Sequence, residues 1–409
     1  MSSKQSHKIL FFPDLIGGEA SGARSSRATL KTLIELDFEV AVFASDADKI
    51  VDYKEFENIS HYKINSLMRA DSHFYEPALV TQFKKILIDF KPNYFFMVGG
   101  IQKPAILAKI SRNENIKNIF LFYITDYYCA KVYAGLESGP CYKCIEINSF
   151  QALTNNCIKG DLKYPNFLKG LLVRKKLKTE ILKSHKVVGY SEDQLSIYKK
   201  IGVEESKCQK VSLQFDADEL KNFPNKDGNY FLIVGQPIME KGFHTISKIL
   251  ENCKSSPKIR IIFKDLKEEQ KALTDYNLLP LVASGIISTT RELEDRLDII
   301  KVIANAKAII IPSYYPSTGE FVLIESLLLE KPVLVFNVGA HKNYISHRSN
   351  GMVANVGDFE TFSKNIDEVN NNQLLRKSLS KGGKSFIMDM LSDKNRLKTL
   401  SKLFNNQNR

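Results

Sequence analysis

The stretch Val234-Gly235-Gln236-Pro237-Ile238-Met239-Glu240-Lys241-Gly242 decides the fold. It closes an apolar run, Tyr230 to Val234, and turns through glycine and proline. It then sets a lysine beside a glycine, just ahead of a helix expected from about Phe243. Strand, turn and helix in that order make half of a βαβ unit, the building block of parallel sheets.

The same order recurs on both sides. Downstream, strands are expected at Lys258 to Phe263, Ala308 to Pro312 and Pro332 to Phe336. Upstream, they are expected at Lys8 to Phe12, Glu39 to Ala44, Tyr94 to Val98, Ile119 to Ile124 and Lys186 to Gly189. Ser25 to Leu36 has helical spacing, with Leu30, Leu33 and Ile34 on one face, and Gln373 to Phe404 reads as helical throughout. The polar segment Lys221 to Asn229 separates the two series. With 409 residues the chain suits two domains better than one core. The expected fold class is therefore α/β: two Rossmann-like domains whose parallel sheets face a central cleft. The expected domains are 1–220, 221–385 and a C-terminal helix, 386–409, packing back on the first. Ligands in such sheets sit beyond the carboxyl ends of the strands, so the loops after Phe12, Val234 and Pro312 are the places to look.

Two of those loops carry chemistry. Lys241, at a strand–helix turn, adds full charge to the outward N–H groups of a helix start, a phosphate-binding arrangement; the plain alternative is a surface lysine on a turn. The second stretch is Pro312-Ser313-Tyr314-Tyr315-Pro316-Ser317-Thr318-Gly319-Glu320-Phe321-Val322-Leu323-Ile324-Glu325. A helix starting near Gly319 or Glu320 would turn the amides of Gly319, Glu320 and Phe321 outward. Glu325 follows in its first turns, where a carboxylate can accept two ribose hydroxyls. The plain alternative is that Glu320 complements the helix dipole and Glu325 is exposed.

The two loops together, with Lys331-Pro332-Val333-Leu334-Val335 after them, resemble the donor domain of the family 4 retaining glycosyltransferases, which have the GT-B fold. That resemblance implies that Lys241 binds the donor diphosphate and Glu325 the ribose. It extends to Ile16-Gly17-Gly18, like the family's glycine loop on the diphosphate, to Val188-Gly189-Tyr190-Ser191-Glu192, and to Leu213 to Asp216. Three positions depart from the pattern. Gln236 stands at the loop arginine, Ser317 at the first glutamate, with Glu320 able to substitute in a shifted loop, and Thr125 at the histidine before Asp126. The resemblance implies a retaining, metal-independent transfer from a nucleotide-diphosphate sugar to a glycan or lipid-linked acceptor, as in surface polysaccharide synthesis. Lys241, Glu320 and Asp126 are the catalytic candidates. Gly17, Gly18, Gly235, Gln236, Lys241, Ser317, Gly319, Glu320, Phe321, Val322 and Glu325 are the donor contacts. A GT-B scaffold without chemistry is the alternative.

Four of the six cysteines, Cys129, Cys141, Cys144 and Cys157, fall in one stretch, about 126–165, expected as an insertion. Structural zinc, free thiols and a disulfide are the three readings, with zinc favoured in a cytosolic chain. No cofactor is required for the transfer itself. Asp46-Ala47-Asp48 and Asp216-Ala217-Asp218 are read as solvated, and His244 as a neighbour of the donor site or a helix-start surface residue. No apolar run reaches the roughly 20 residues of a membrane span, and the polar start, Met1 to Lys8, predicts no signal peptide. The expected location is cytoplasmic. The net charge of +12 suits anionic partners. Its densest part, Lys169 to Lys178 (KGLLVRKKLK), reads as a solvated helix face or as peripheral contact with anionic membrane. No nucleic-acid motif accompanies it.

Overall fold

The computed structural model describes residues 7–64, 76–99, 105–122, 135–136, 139–157, 163–291, 293, 295–317 and 319–404. The chain folds as two units. The first takes in Met1–Val132, Tyr142–Asp216 and Leu391–Arg409; the second takes in Tyr133–Cys141 and Ala217–Met390.

The first unit is built on β1 (Lys8–Phe12), β2 (Glu39–Ala44), β3 (Ser60–Lys63), β4 (Tyr94–Gly99) and β5 (Lys117–Phe122). The short pair β6 (Gly135–Leu136) and β7 (Gly139–Pro140) runs antiparallel and belongs to the second unit. Next come β8 (Lys186–Gly189) and β9 (Cys208–Lys210), completing a parallel sheet in the order β3-β2-β1-β4-β5-β8-β9. Central strands are buried on both faces by helices, so they read as unbroken apolar runs. Ile9, Leu10, Phe11 and Phe12 of β1 are fully buried.

The second unit repeats the plan with β10 (Phe231–Ile233), β11 (Ile259–Ile262), β12 (Ile287–Thr290), β13 (Ala308–Ile311), β14 (Val333–Phe336) and β15 (Met352–Ala354). The order is β12-β11-β10-β13-β14-β15, all parallel. Both sheets are doubly wound. In the second, the order reverses between β10 and β13, which leaves a crevice at their carboxyl ends.

Local signals set the helices. Glu192–Lys200 starts at Ser191, whose hydroxyl accepts from the Gln194 amide at 3.1 Å, with acids in its first turn and lysines in its last. Two helical readings need correction. The first helix is Ser21–Glu35, four residues earlier than the spacing suggested, and Ile34 is partly exposed. The tail is not one helix: Gln373–Met390 stops, and Ser392 caps a new helix, Asp393–Ser401. No helix among the described residues is long and apolar enough to cross a membrane.

The last described residues close the first unit. Phe404 is buried, with ring centroids 4.6 Å from Phe38 and 5.1 Å from Tyr94, and its carbonyl accepts from the Tyr94 hydroxyl at 2.8 Å. Phe404→Ala should cost about 3 kcal/mol through the cavity it leaves. A urea midpoint unchanged from wild type would show that this tail does not hold the unit.

Candidate functional site

Three loops meet at the carboxyl ends of β10, β13 and β14. Main-chain contacts fix them together. The Tyr314 amide donates to the Glu240 carbonyl at 2.9 Å, and the Ala340 amide to the Ser317 carbonyl at 2.9 Å. Two glycines permit this closeness. Gly242 has φ +81°, and a Cβ there would fall 1.8 Å from the Pro312 oxygen. Gly339 has φ +52°, and a Cβ would fall 2.6 Å from the Ser317 nitrogen.

The loops deliver an ion pair. Lys241 Nζ donates to Glu320 Oε2 at 2.8 Å and to the Tyr315 hydroxyl at 3.2 Å. Its side chain is 19% exposed and that of Glu320 is 5% exposed. Glu320 immediately precedes the helix Phe321–Leu328 and stands at its N-cap. There the first amides have no partner within the helix, and the dipole favours negative charge. Burial opposes the charge on both groups. The mutual attraction outweighs it: the Lys241 pKa is raised above its ordinary value, and the Glu320 pKa is held well below the carboxylate range, with His341 helping.

His341 lies beneath the carboxylate, fully buried on the helix His341–Tyr344. Its Nδ1 is 3.0 Å from the Phe336 carbonyl, which can only accept, so Nδ1 carries a proton. Its Nε2 is 3.3 Å from Glu320 Oε1. Neither of those two buried atoms has a hydrogen-bond partner among the described residues.

Glu325 is buried, not exposed, and meets Arg296 at 3.4 Å; Arg296 also reaches Glu219 at 2.5 Å. Gly235 adopts φ +143°, with open space where a side chain would be, and Gln236 is exposed. Ser317 is buried inside the interlock rather than facing outward. Gly319 is partly buried beside Glu320, and Phe321 and Val322 open the helix. His244 packs edge-on against Tyr314, 4.9 Å between centroids.

In the first unit the glycine loop departs from expectation. The amides of Ile16 and Gly17 donate to the Asp46 carboxylate, at 2.9 Å for Gly17, and the Gly18 amide to the Tyr53 hydroxyl at 3.2 Å. Asp46 is thus not merely solvated, and the Gly17 and Gly18 amides are already occupied. Asp48 and Asp216 are exposed and pair with Lys63 and Lys31.

Asp126 and Cys129 lie outside the described residues. Cys141, Cys144 and Cys157 are partly buried near two short helices, Lys143–Glu146 and Gln151–Thr154. Among the described residues no group of three or more His, Cys, Asp or Glu is placed to hold a metal ion.

Residues 214–386, which contain all three loops, match the family described as Glycosyl transferases group 1. The capsular polysaccharide biosynthesis glycosyltransferase CapM of Staphylococcus aureus is 19% identical over 384 residues, covering 93% of each chain. The crystal structure of HepE from Anabaena with UDP and glucose superposes with a TM-score of 0.68 at 13% identity, covering 97% of this chain and 98% of that one. A glycosyltransferase from Rickettsia africae gives 0.65 at 15% identity, covering 98% of both. The chain is a glycosyltransferase of GT-B fold. In this glycosyltransferase, sequence reasoning named Lys241, Glu320 and Glu325 but not their partners Tyr315, His341 and Arg296. His341 follows β14, whose loop also sits at the carboxyl edge of the sheet, and that position was the available signal.

A buried pair with one partner removed costs about 3–5 kcal/mol, because the other charge is stranded. Lys241→Ala should therefore lower the melting temperature by several degrees, and adding Glu320→Gln should restore most of it. Both shifts point to the same pH window. The Glu320 pKa is depressed, so its contribution is present above 4.5 and lost as pH falls below it. The Lys241 pKa is raised, so its contribution is present below 10.5 and lost as pH rises through the folded value. The difference in stability between wild type and the double variant should be flat from about pH 5 to 10; a bell centred near neutrality would contradict the pairing.

Proposed function

We propose that this glycosyltransferase takes its sugar from a nucleoside-diphosphate donor held by the loops after β10, β13 and β14. The acceptor is a glycan or lipid-linked glycan in polysaccharide assembly at a membrane surface. The observation that carries this reading is the Lys241–Glu320 pair at the N-terminus of the helix Phe321–Leu328, 2.8 Å apart at the point where the sheet order reverses. HepE, a relative in fold, binds UDP and glucose in its crystal, and CapM is named for capsular polysaccharide synthesis; both support the assignment.

In the proposed mechanism, negative charge grows on the diphosphate as the bond to the sugar breaks. Lys241 and the helix-terminal amides of Gly319 to Phe321 are fixed in advance to receive it, so little reorganisation is needed. Glu320 holds the lysine in place and offers its carboxylate to sugar hydroxyls. Glu325 takes the ribose, with Arg296 fixing its orientation. His341 lies beneath the Glu320 carboxylate, 3.3 Å from Oε1, and limits where that carboxylate can move. The transfer is retaining and needs no metal, and Asp126 is the candidate for contacting sugar or acceptor. Any zinc at the cysteine cluster is structural.

Lys241→Ala and Glu325→Ala should each cut turnover by at least about tenfold, assayed as nucleoside-diphosphate release well below the melting temperature. His341→Gln should raise KM for the donor more than it lowers kcat, and excess EDTA should leave the wild-type rate unchanged. Near-normal rates in both the Lys241 and Glu325 variants would defeat the site assignment.

A further inference from the structure

The donor loops occupy one end of the second unit's sheet, and the other end carries a cavity of its own. Its volume is about 320 Å³, and it lies where the chain enters β10, β13 and β14. Asp227 lines it from before β10, Lys307 from before β13, and Glu330 and Lys331 from before β14. Lys377, Ser380 and Lys381 line it from the helix Gln373–Met390. A four-residue strand spans roughly 13 Å, so this cavity is separate from the loops at the carboxyl ends of the same strands. The helix is firmly set. Leu379 and Gly383 are buried, and a Cβ on Gly382 would fall 2.2 Å from the Ser349 oxygen. That close approach fixes the turn that carries Lys381.

The charges around this cavity are unevenly met. Its two carboxylates are already paired, Asp227 with Arg376 at 3.0 Å and Glu330 with Lys384 at 2.7 Å. Lys307 Nζ donates to the Asn370 side chain at 2.7 Å, and Lys331 Nζ to the Lys226 carbonyl at 2.5 Å. Both of those acceptors are neutral. Lys377 and Lys381, one helical turn apart, are exposed and have no hydrogen-bond or ion-pair partner among the described residues. Four ammonium groups therefore border one cavity, and no carboxylate is bound to any of them. Lys331 is the sharpest case, because it is only 3% exposed. Burial brings its pKa down to about 8, although Asp227 and Glu330 pull the other way. Lys307 is lowered as well, by burial first and by Arg376 next. A buried amine that sheds its proton for want of a counter-charge is the complement of an anion.

We infer that this cavity is a second anion site, which takes a compact, multiply charged phosphate such as pyrophosphate between Lys307, Lys331, Lys377 and Lys381. Ammonium groups bind phosphate oxygens as point charges and need no planar fork. The Ser380 hydroxyl can donate to a further oxygen. Among the described residues that line the cavity, Pro332 alone is apolar and none is aromatic, so nothing there stacks a base. That favours a bare phosphate group over a nucleotide. The inference does not rest on the reading of Lys241.

The test is titration calorimetry of the full chain with sodium pyrophosphate, without divalent cations. Binding is expected in wild type and in Lys241→Ala alike, which separates the cavity from the donor loops. In both backgrounds Lys377→Gln with Lys381→Gln should weaken it by about tenfold or more, through the loss of two charge-assisted contacts. The melting temperature of the free protein should not move, because both side chains are exposed. Affinity should fall as pH rises from about 7 to about 9, since Lys331 loses its proton over that range while pyrophosphate only gains negative charge. Lys241, whose pKa is raised above its ordinary value, would not produce that fall. Binding that Lys241→Ala removes and the double variant keeps would overturn the inference, as would the absence of any heat of binding in wild type. So would UDP binding that the double variant weakens as much as it weakens pyrophosphate binding, since that would mark a nucleotide site.

Discussion

Two opposite charges held in a nearly dry crevice constrain everything around them. Taking an ammonium and a carboxylate out of water costs several kcal/mol each, and only a short, well-aligned contact recovers it. Lys241 and Glu320 come from loops 79 residues apart in sequence. Their 2.8 Å contact therefore demands that β10 and β13 be neighbours, that Gly242 let the first loop lie against Pro312, and that Gly339 let the third loop lie against Ser317. The parallel sheet supplies the adjacency, and the glycines supply the last ångström. A fold lacking either would leave two buried charges apart.

How far the fold was readable follows from the same geometry. The strands expected from sequence are the inner ones, where both faces are covered and most residues are apolar. Those missed, β3, β9, β12 and β15, are the four outermost strands of the two sheets. Ser60–Lys63 shows why: three of its four residues are exposed, and serine, histidine and lysine in it give no apolar run. An edge strand is defined by the neighbour it pairs with, and one sequence window does not contain that neighbour.

The candidate site was readable to the same depth. Lys241 stood out because a lysine beside a glycine at a strand–helix turn has a chemistry of its own. Glu320 was harder, since counting back from Glu325 leads to Ser317. The structure puts the serine inside the loop interlock and the glutamate at the helix cap, so the carboxylate arrives from a position three residues further on. His341 and Arg296 carried no local signal, because each matters only through a carboxylate distant in sequence. Asp46 was read as solvated for a related reason. A carboxylate bound by two loop amides looks, in sequence, like any other acid in a turn.

The chain's positive charge is easily misplaced. A net charge of +12 invites the thought that it serves the donor polyanion. Yet at the donor loops Lys241 is paired with Glu320, and Arg296 is balanced between Glu219 and Glu325. At such a site, recognition comes from fixed direction: one ammonium, a helix terminus and a locked loop geometry, all more effective because the side chains are largely buried. Lys175, Lys176 and Lys178 instead sit exposed on the helix Lys163–Leu182 in the other unit, where salt screens charge beyond about 8–10 Å. Charge spread over exposed side chains in a high dielectric contributes little to chemistry at the donor loops. The net charge of the chain is therefore a poor guide to the donor site, where the chemistry depends on a few charges that nearly cancel.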